Sequence, residues 1–114
     1  MGADRPTTLD PTAAVRGIVL SKLAGTPCRA YLFGSFARHT AQQFSDIDVA
    51  TDGSDPISPV LLAEIREALE ESLVPYEVDL VDLPRASAAL RDAVRQDGIL
   101  WTEPWPRFIP PTER

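Results

Sequence analysis

Residues 33–49 read Phe-Gly-Ser-Phe-Ala-Arg-His-Thr-Ala-Gln-Gln-Phe-Ser-Asp-Ile-Asp-Val, and the rest of the chain is organised around them. The apolar run Ala30, Tyr31, Leu32, Phe33 stops at Gly34 and Ser35, ten residues follow, and the stretch closes on Asp46 and Asp48. A strand that stops at Gly-Ser and turns into a short helix presents free backbone N–H groups and a hydroxyl at a positive helix end, where a triphosphate can sit. Residues i and i+2 of a strand share a face, so Asp46 and Asp48 are expected to aim together at a hard cation. The stretch reads as a nucleotide and metal site.

Outward from it, each flank has a pattern of its own. Asp10 as cap, Pro11 at the first helical position, and Val15, Ile18, Val19 and Leu23 at helical spacing predict a helix that Gly25 closes. Arg29 to Phe33 reads as a short buried strand, Phe36 to Ala41 as a short helix, Gln42 to Ser45 as a loop, and Asp46 to Thr51 as the next strand. Asp52-Gly53-Ser54-Asp55-Pro56 is turn chemistry, after which Ser58-Pro59 opens a helix with Leu62, Ile65, Leu69 and Leu73 on one side. Its other side carries Glu64, Arg66, Glu67, Glu70 and Glu71, read as a solvated face that could also meet a basic partner.

Pro75 breaks that helix and Tyr76 to Val81 alternates as a strand, Val78 and Leu80 on one side and Glu77, Asp79 and Val81 on the other. A third helix is expected after Pro84 through Ala86, Leu90, Ala93 and Val94, ended by Gly98, with Ile99 to Trp101 as a brief edge strand. The expected organisation is a loose arm over 1–9, one domain over 10–102, and an extended tail over 103–114 with Pro at 104, 106, 110 and 111. Trp105 and Phe108 in that tail are expected to dock on the domain rather than on a partner.

Composition narrows the function. At 114 residues one core is expected, and 44% hydrophobic with 25% charged residues argues for a folded chain. Net charge is −6, from 17 acidic residues against 11 Lys and Arg, which disfavours general binding to nucleic acid, because that affinity comes from cations on phosphates. Cys28 is the one cysteine, so no internal disulfide or thiol cluster forms, and a half-buried thiol is the simple reading. With no apolar run near the roughly 18 residues of a membrane span and an acid in Met-Gly-Ala-Asp-Arg-Pro, a cytoplasmic location is expected.

Gly34-Ser35, ten residues, then Asp46-Ile47-Asp48, followed by a carboxylate on a later strand, resembles the signature of the DNA polymerase beta type nucleotidyltransferase superfamily, in particular its minimal nucleotidyltransferase branch. The similarity covers about residues 10 to 100. It implies an α/β fold, a small mixed sheet with the carboxylates along one open face and helices behind. It also implies roles. Asp46 and Asp48 would bind two Mg²⁺ ions and the nucleotide phosphates, Asp79 would bind the ion that activates the incoming hydroxyl, and Gly34 and Ser35 would hold the beta and gamma phosphates. The expectation for Asp79 from the residues alone agrees, since a carboxylate inside an apolar strand is costly unless used. Taken singly, each Asp also reads as a turn or edge acid, and Ser35 as a plain helix N-cap.

Arg38, one turn past Ser35, could reach a phosphate or simply be solvated. Glu77 shares a strand face with Asp79 and is a further ligand candidate, against the simpler reading of a solvated strand-end acid. His39 departs from the family pattern, which has Gly about there, and is read as an exposed loop residue rather than a base. The resemblance implies transfer of AMP from ATP to a hydroxyl. Stand-alone members of the branch resemble the antitoxin of a toxin–antitoxin pair, whose partner is a HEPN ribonuclease silenced by AMP on a tyrosine, in a hetero-oligomer. A silent antitoxin that acts by binding alone, and a transferase for a small molecule such as an aminoglycoside, remain the alternatives.

Overall fold

The structure, a computed structural model, describes residues 11–42 and 45–101. The chain runs α1 (Pro11–Leu23), β1 (Arg29–Phe33), α2 (Gly34–Ala37), β2 (Ile47–Asp52), α3 (Pro59–Glu71), β3 (Val78–Asp82), a 3-10 turn (Leu83–Arg85), α4 (Ala88–Asp97) and β4 (Ile99–Trp101). The strands form one mixed sheet in the order β3-β2-β1-β4, with β2 and β3 parallel and β1 antiparallel to both β2 and β4. The arm, Asp10 and the Pro-rich tail lie outside the described residues.

Helices α1 and α3 form where the pattern places them, and serine hydroxyls cap α3 and α4. In α1, Val15, Val19 and Leu23 recur every four residues and are buried. Gly25 then takes φ +83°, a left-handed turn that suits glycine, while Thr26 closes the helix by donating its N–H to the Leu23 carbonyl at 3.0 Å. Helix α3 begins at Ser58, whose hydroxyl accepts from the Leu61 N–H at 3.1 Å, with Pro59 at the first helical position. Ser87 caps α4 in the same way, accepting from Leu90 at 3.1 Å. A hydroxyl cap contributes about 1 kcal/mol to a helix.

Strand alternation sorts the sheet into two faces. Ala30 and Leu32 of β1, Ile47 and Val49 of β2, and Val78 and Leu80 of β3 pack with α1 and α3 into the main core, with Ile65 and Leu69 from α3. The opposite face carries Ala50, Tyr31, Phe33 and Val81 against Leu83, Leu90 and Val94, so α4 and the 3-10 turn cover part of it. The expected α/β sheet with helices behind is therefore present, with an addition. One helix lies on the carboxylate face, at the end away from Asp48. In β2 every residue but Asp48 is buried, its polar Thr51 and Asp52 included.

Several boundaries differ from the sequence expectations. Helix α2 starts at Gly34 rather than Phe36 and stops at Ala37. The second strand begins at Ile47 and runs to Asp52, and the third begins at Val78, since Pro75 and Tyr76 belong to the approach. Pro84 sits in a 3-10 turn and the helix starts only at Ala88, because Ser87 is the residue placed to cap it. Leu73 is 98% exposed, since α3 ends at Glu71 and the helical spacing no longer applies beyond it.

Two buried acids fix the far end of the sheet. Asp82, at the end of β3, accepts from the Thr51 hydroxyl at 2.9 Å and from the Ile57 N–H at 3.0 Å, tying the 53–58 loop to the sheet. Asp52 accepts from Arg95 of α4 at 3.3 Å on both oxygens.

Candidate active site

Residues on three segments meet at the opposite end of the sheet. The register pairs Asp48 with Asp79 across the parallel strands β2 and β3, and Phe33 with Asp48 across β1 and β2. Directly paired residues project to one face, so Asp48 and Asp79 stand side by side, with Phe33 beyond Asp48. Asp46 lies ahead of β2, exposed, at the end of a loop in which the Ser45 hydroxyl accepts from the Gln42 N–H at 2.8 Å.

Gly34 is required at its place. It adopts φ +77°, and a Cβ there would fall on Oδ2 of Asp48, 3.0 Å from its Cγ and 3.2 Å from its Cβ. The turn that ends β1 thus lies against the Asp48 carboxyl itself. Helix α2 follows with Phe33 as its N-cap and no side chain capping its first turn. Ser35 is therefore inside the first turn, and the plain N-cap reading of this serine does not apply.

The electrostatics report the same convergence. Burial raises the Asp48 carboxyl above the ordinary carboxylate value, the charges of Asp79 and Asp46 raise it further, and Arg38 pulls it back. Asp46, Asp79 and Arg38 therefore each lie within electrostatic reach of Asp48. Glu77, the further ligand candidate, is exposed. It precedes β3, gives its carbonyl to the Ile47 N–H at 2.9 Å, and lines a groove with Arg66 and Glu70 of α3.

Asp79 is exposed. The expectation that its cost of burial marks it out is thus wrong, because β3 is an outer strand among the described residues and Asp79 faces solvent while Val78 beside it packs on the main core. The buried acid of β3 is Asp82, which the sequence reading did not single out. Its signal was available in Val-Asp-Leu-Val-Asp, where an acid ends an apolar strand just before a turn.

His39 has φ +60° and is exposed. Its N–H bonds the Phe36 carbonyl at 3.4 Å, and the Thr40 N–H bonds the Ser35 carbonyl at 2.9 Å. These are the two bonds of a Schellman C-cap, in which the left-handed residue is usually glycine. His39 thus holds the left-handed position of this turn, at a strain that glycine would not carry. Phe36 meanwhile packs edge-on to Tyr76, with ring centroids 5.7 Å apart, so α2 is braced against the segment that leads into Asp79.

The donor set is all carboxylate oxygen, which suits a hard divalent cation such as Mg²⁺. Among the described residues, no three His, Cys, Asp or Glu side chains are gathered tightly enough to hold a metal ion. The juxtaposition is thus one of backbone register and mutual charge, not a closed ligand cage.

The sequence matches the family described as Polymerase beta, Nucleotidyltransferase over residues 22–103. The chain belongs to that family. Among curated relatives it is 39% identical over 72 residues to the protein adenylyltransferase MntA of Shewanella oneidensis, a match covering 62% of this chain and 51% of that protein. It is 32% identical over 66 residues to the probable protein adenylyltransferase MntA of Haemophilus influenzae, covering 58% of each. The match thus spans between half and three fifths of those relatives. Among solved structures, a toxin–antitoxin complex with AMP-PNP aligns at TM-score 0.63 and 29% identity, over 80% of this chain and 75% of that one. A complex of tri-AMPylated Shewanella oneidensis HEPN toxin with MNT antitoxin aligns at TM-score 0.57 and 26% identity, over 83% and 71%. All of the nucleotidyltransferase-side residues discussed above, from Gly34 to Asp79, lie inside the 22–103 family match.

Proposed function

We propose that this nucleotidyltransferase-family chain moves AMP from ATP to a hydroxyl of a HEPN-type toxin, and so acts as its antitoxin in a hetero-oligomer. The observation that carries the reading is the register of Asp48 beside Asp79 with the Gly34 turn against Asp48. Support for the acceptor comes from the relatives, which are named protein adenylyltransferases, and from the aligned complex whose HEPN toxin bears AMP. A net charge of −6 also suits a basic protein partner better than a nucleic acid. No described helix is long and apolar enough to cross a membrane, which is consistent with action in the cytoplasm.

In this reading Gly34, Ser35 and the uncapped N–H groups of α2 receive the beta and gamma phosphates, and Arg38 balances their charge. Asp46, Asp48 and Asp79 would hold two Mg²⁺ ions, which when bound lower the pKa of the attacking hydroxyl and neutralise the leaving pyrophosphate. The chain's own contribution is placement. Asp79 stands on an outer strand where a macromolecular acceptor can approach, while Asp48 is half-buried against Phe33 and Gly34, away from that edge.

The test is to incubate the protein with ATP, Mg²⁺ and the product of its neighbouring gene as the candidate HEPN partner, and to weigh that product by mass spectrometry. An added AMP mass that disappears with Asp46→Asn is expected. Neutralisation without added mass, equal in the variant, would mean that binding alone silences the partner. An unmodified partner beside a modified aminoglycoside would place the acceptor among small molecules.

A further inference from the structure

A groove of about 660 Å³ lies between the first turn of α1, the end of α2 and strand β4. Leu32, Phe36, Ile99, Leu100 and Trp101 give it an apolar wall, and Arg16 a polar one. Among the described residues β4 is an outer strand, paired on one side only with β1, and its Ile99 and Leu100 are 43% and 41% exposed. Adjacent large aliphatics left this open on a sheet edge invite a cover.

The chain outside the described residues leaves from this groove. Trp101 lines it, and 102–114 follow directly with Trp105, Phe108 and Ile109 among four prolines. We propose that this tail folds back along β4 and seats Trp105 and Phe108 in the groove. An extended Pro-rich segment advances roughly 3.1 Å per residue, so Trp105 lies about 12 Å along the chain from Trp101, within reach of a groove that begins there. Such segments lose little conformational freedom on docking, which is why aromatic-lined grooves take them. The arm 1–10 precedes Pro11, which also lines the groove, but it has no aromatic residue and only Met1 and Leu9 as large apolar ones. Because Phe36 and His39 of the α2 turn also line the groove, the docked tail steadies the turn that carries Gly34 and Ser35.

Amide hydrogen exchange on the full-length chain tests this. Trp105→Ala with Phe108→Ala should speed exchange at residues 99–101 and in the first turn of α1 by about tenfold or more, leaving β2 unchanged. Leu100→Arg, at an exposed groove position, should do the same, and combining it with the tail changes should add nothing further. Unchanged exchange in the tail variant would overturn the proposal. So would protection that grows with protein concentration, which would make a second copy the occupant. Protection lost with Leu9→Asp but kept in the tail variant would assign the groove to the arm, and protection seen only after the HEPN protein is added would assign it to the partner. Exchange at these amides reads docking whether or not ATP is the substrate, so failure here and failure of the transferase reading are distinguishable.

Discussion

At His39 the backbone, not the imidazole, explains what the position demands. A non-glycine residue at φ +60° costs on the order of 1 kcal/mol relative to one with no Cβ. His39→Gly is therefore expected to stabilise the protein by about that amount in urea unfolding, less the entropy that glycine adds to the unfolded chain. Gly34 is the converse case. Gly34→Ala drives a Cβ into the Asp48 carboxyl and is expected to displace it, abolishing transfer and lowering the melting temperature. Asp48 carries the pH dependence. Its folded pKa is raised, so the folded state binds its proton more tightly than the unfolded chain does. Below the ordinary carboxylate value of about 3.9 the carboxyl is protonated in both states and imposes no cost. As pH rises through that value and past the raised one, the folded state is progressively penalised. Asp48→Asn without divalent cations should thus raise the melting temperature at neutral pH, and the gain should vanish by about pH 3. Scanning calorimetry at the two pH values checks this, and an equal gain at both would contradict it.

At the scale of elements, the strand ends divide the work. The ends of β2 and β3 that begin at Ile47 and Val78 carry the paired Asp48 and Asp79, and the other ends carry Asp52 and Asp82 as anchors. Asp82→Ala leaves the Thr51 hydroxyl and the Ile57 N–H without their acceptor and is expected to cost roughly 2–4 kcal/mol. Arg85 contacts the same carboxylate at 3.4 Å but is 58% exposed, so Arg85→Ala should cost less than about 1 kcal/mol. Denaturant midpoints of the two variants separate these effects. The same elements show what the sequence made legible. Arg29 to Phe33 and the helix opened by Ser58-Pro59 followed from local periodicity and caps, which need no tertiary knowledge, whereas the grouping of Asp48 with Asp79 was implied by the family resemblance and not by any local pattern. The extent of α2, the exposure of Asp79, and the roles of Asp52 and Asp82 depend on which strand is outer and which loop crosses nearby. Those facts are set by packing between distant segments, and a period-2 pattern does not contain them.

For the whole molecule, the sheet works as a wall with an open corner. Helices α1 and α3 fill one face and α4 covers part of the other, so Asp48 and Asp79 remain accessible where β3 borders solvent. An acceptor carried by another macromolecule can reach that corner without entering a deep cavity. The alternation of Val78 and Leu80 with Asp79 and Val81, read from sequence, already separated the two faces, whereas the placement of α4 on the carboxylate face was not legible. The most direct measurement is the initial rate of AMP transfer to the proposed HEPN partner by wild type and Asp79→Asn at saturating ATP and Mg²⁺, with ATP affinity measured in parallel by calorimetry. The account predicts a rate lower by at least about 100-fold in the variant, with ATP affinity within a few fold of wild type. An undiminished rate in Asp79→Asn would contradict it.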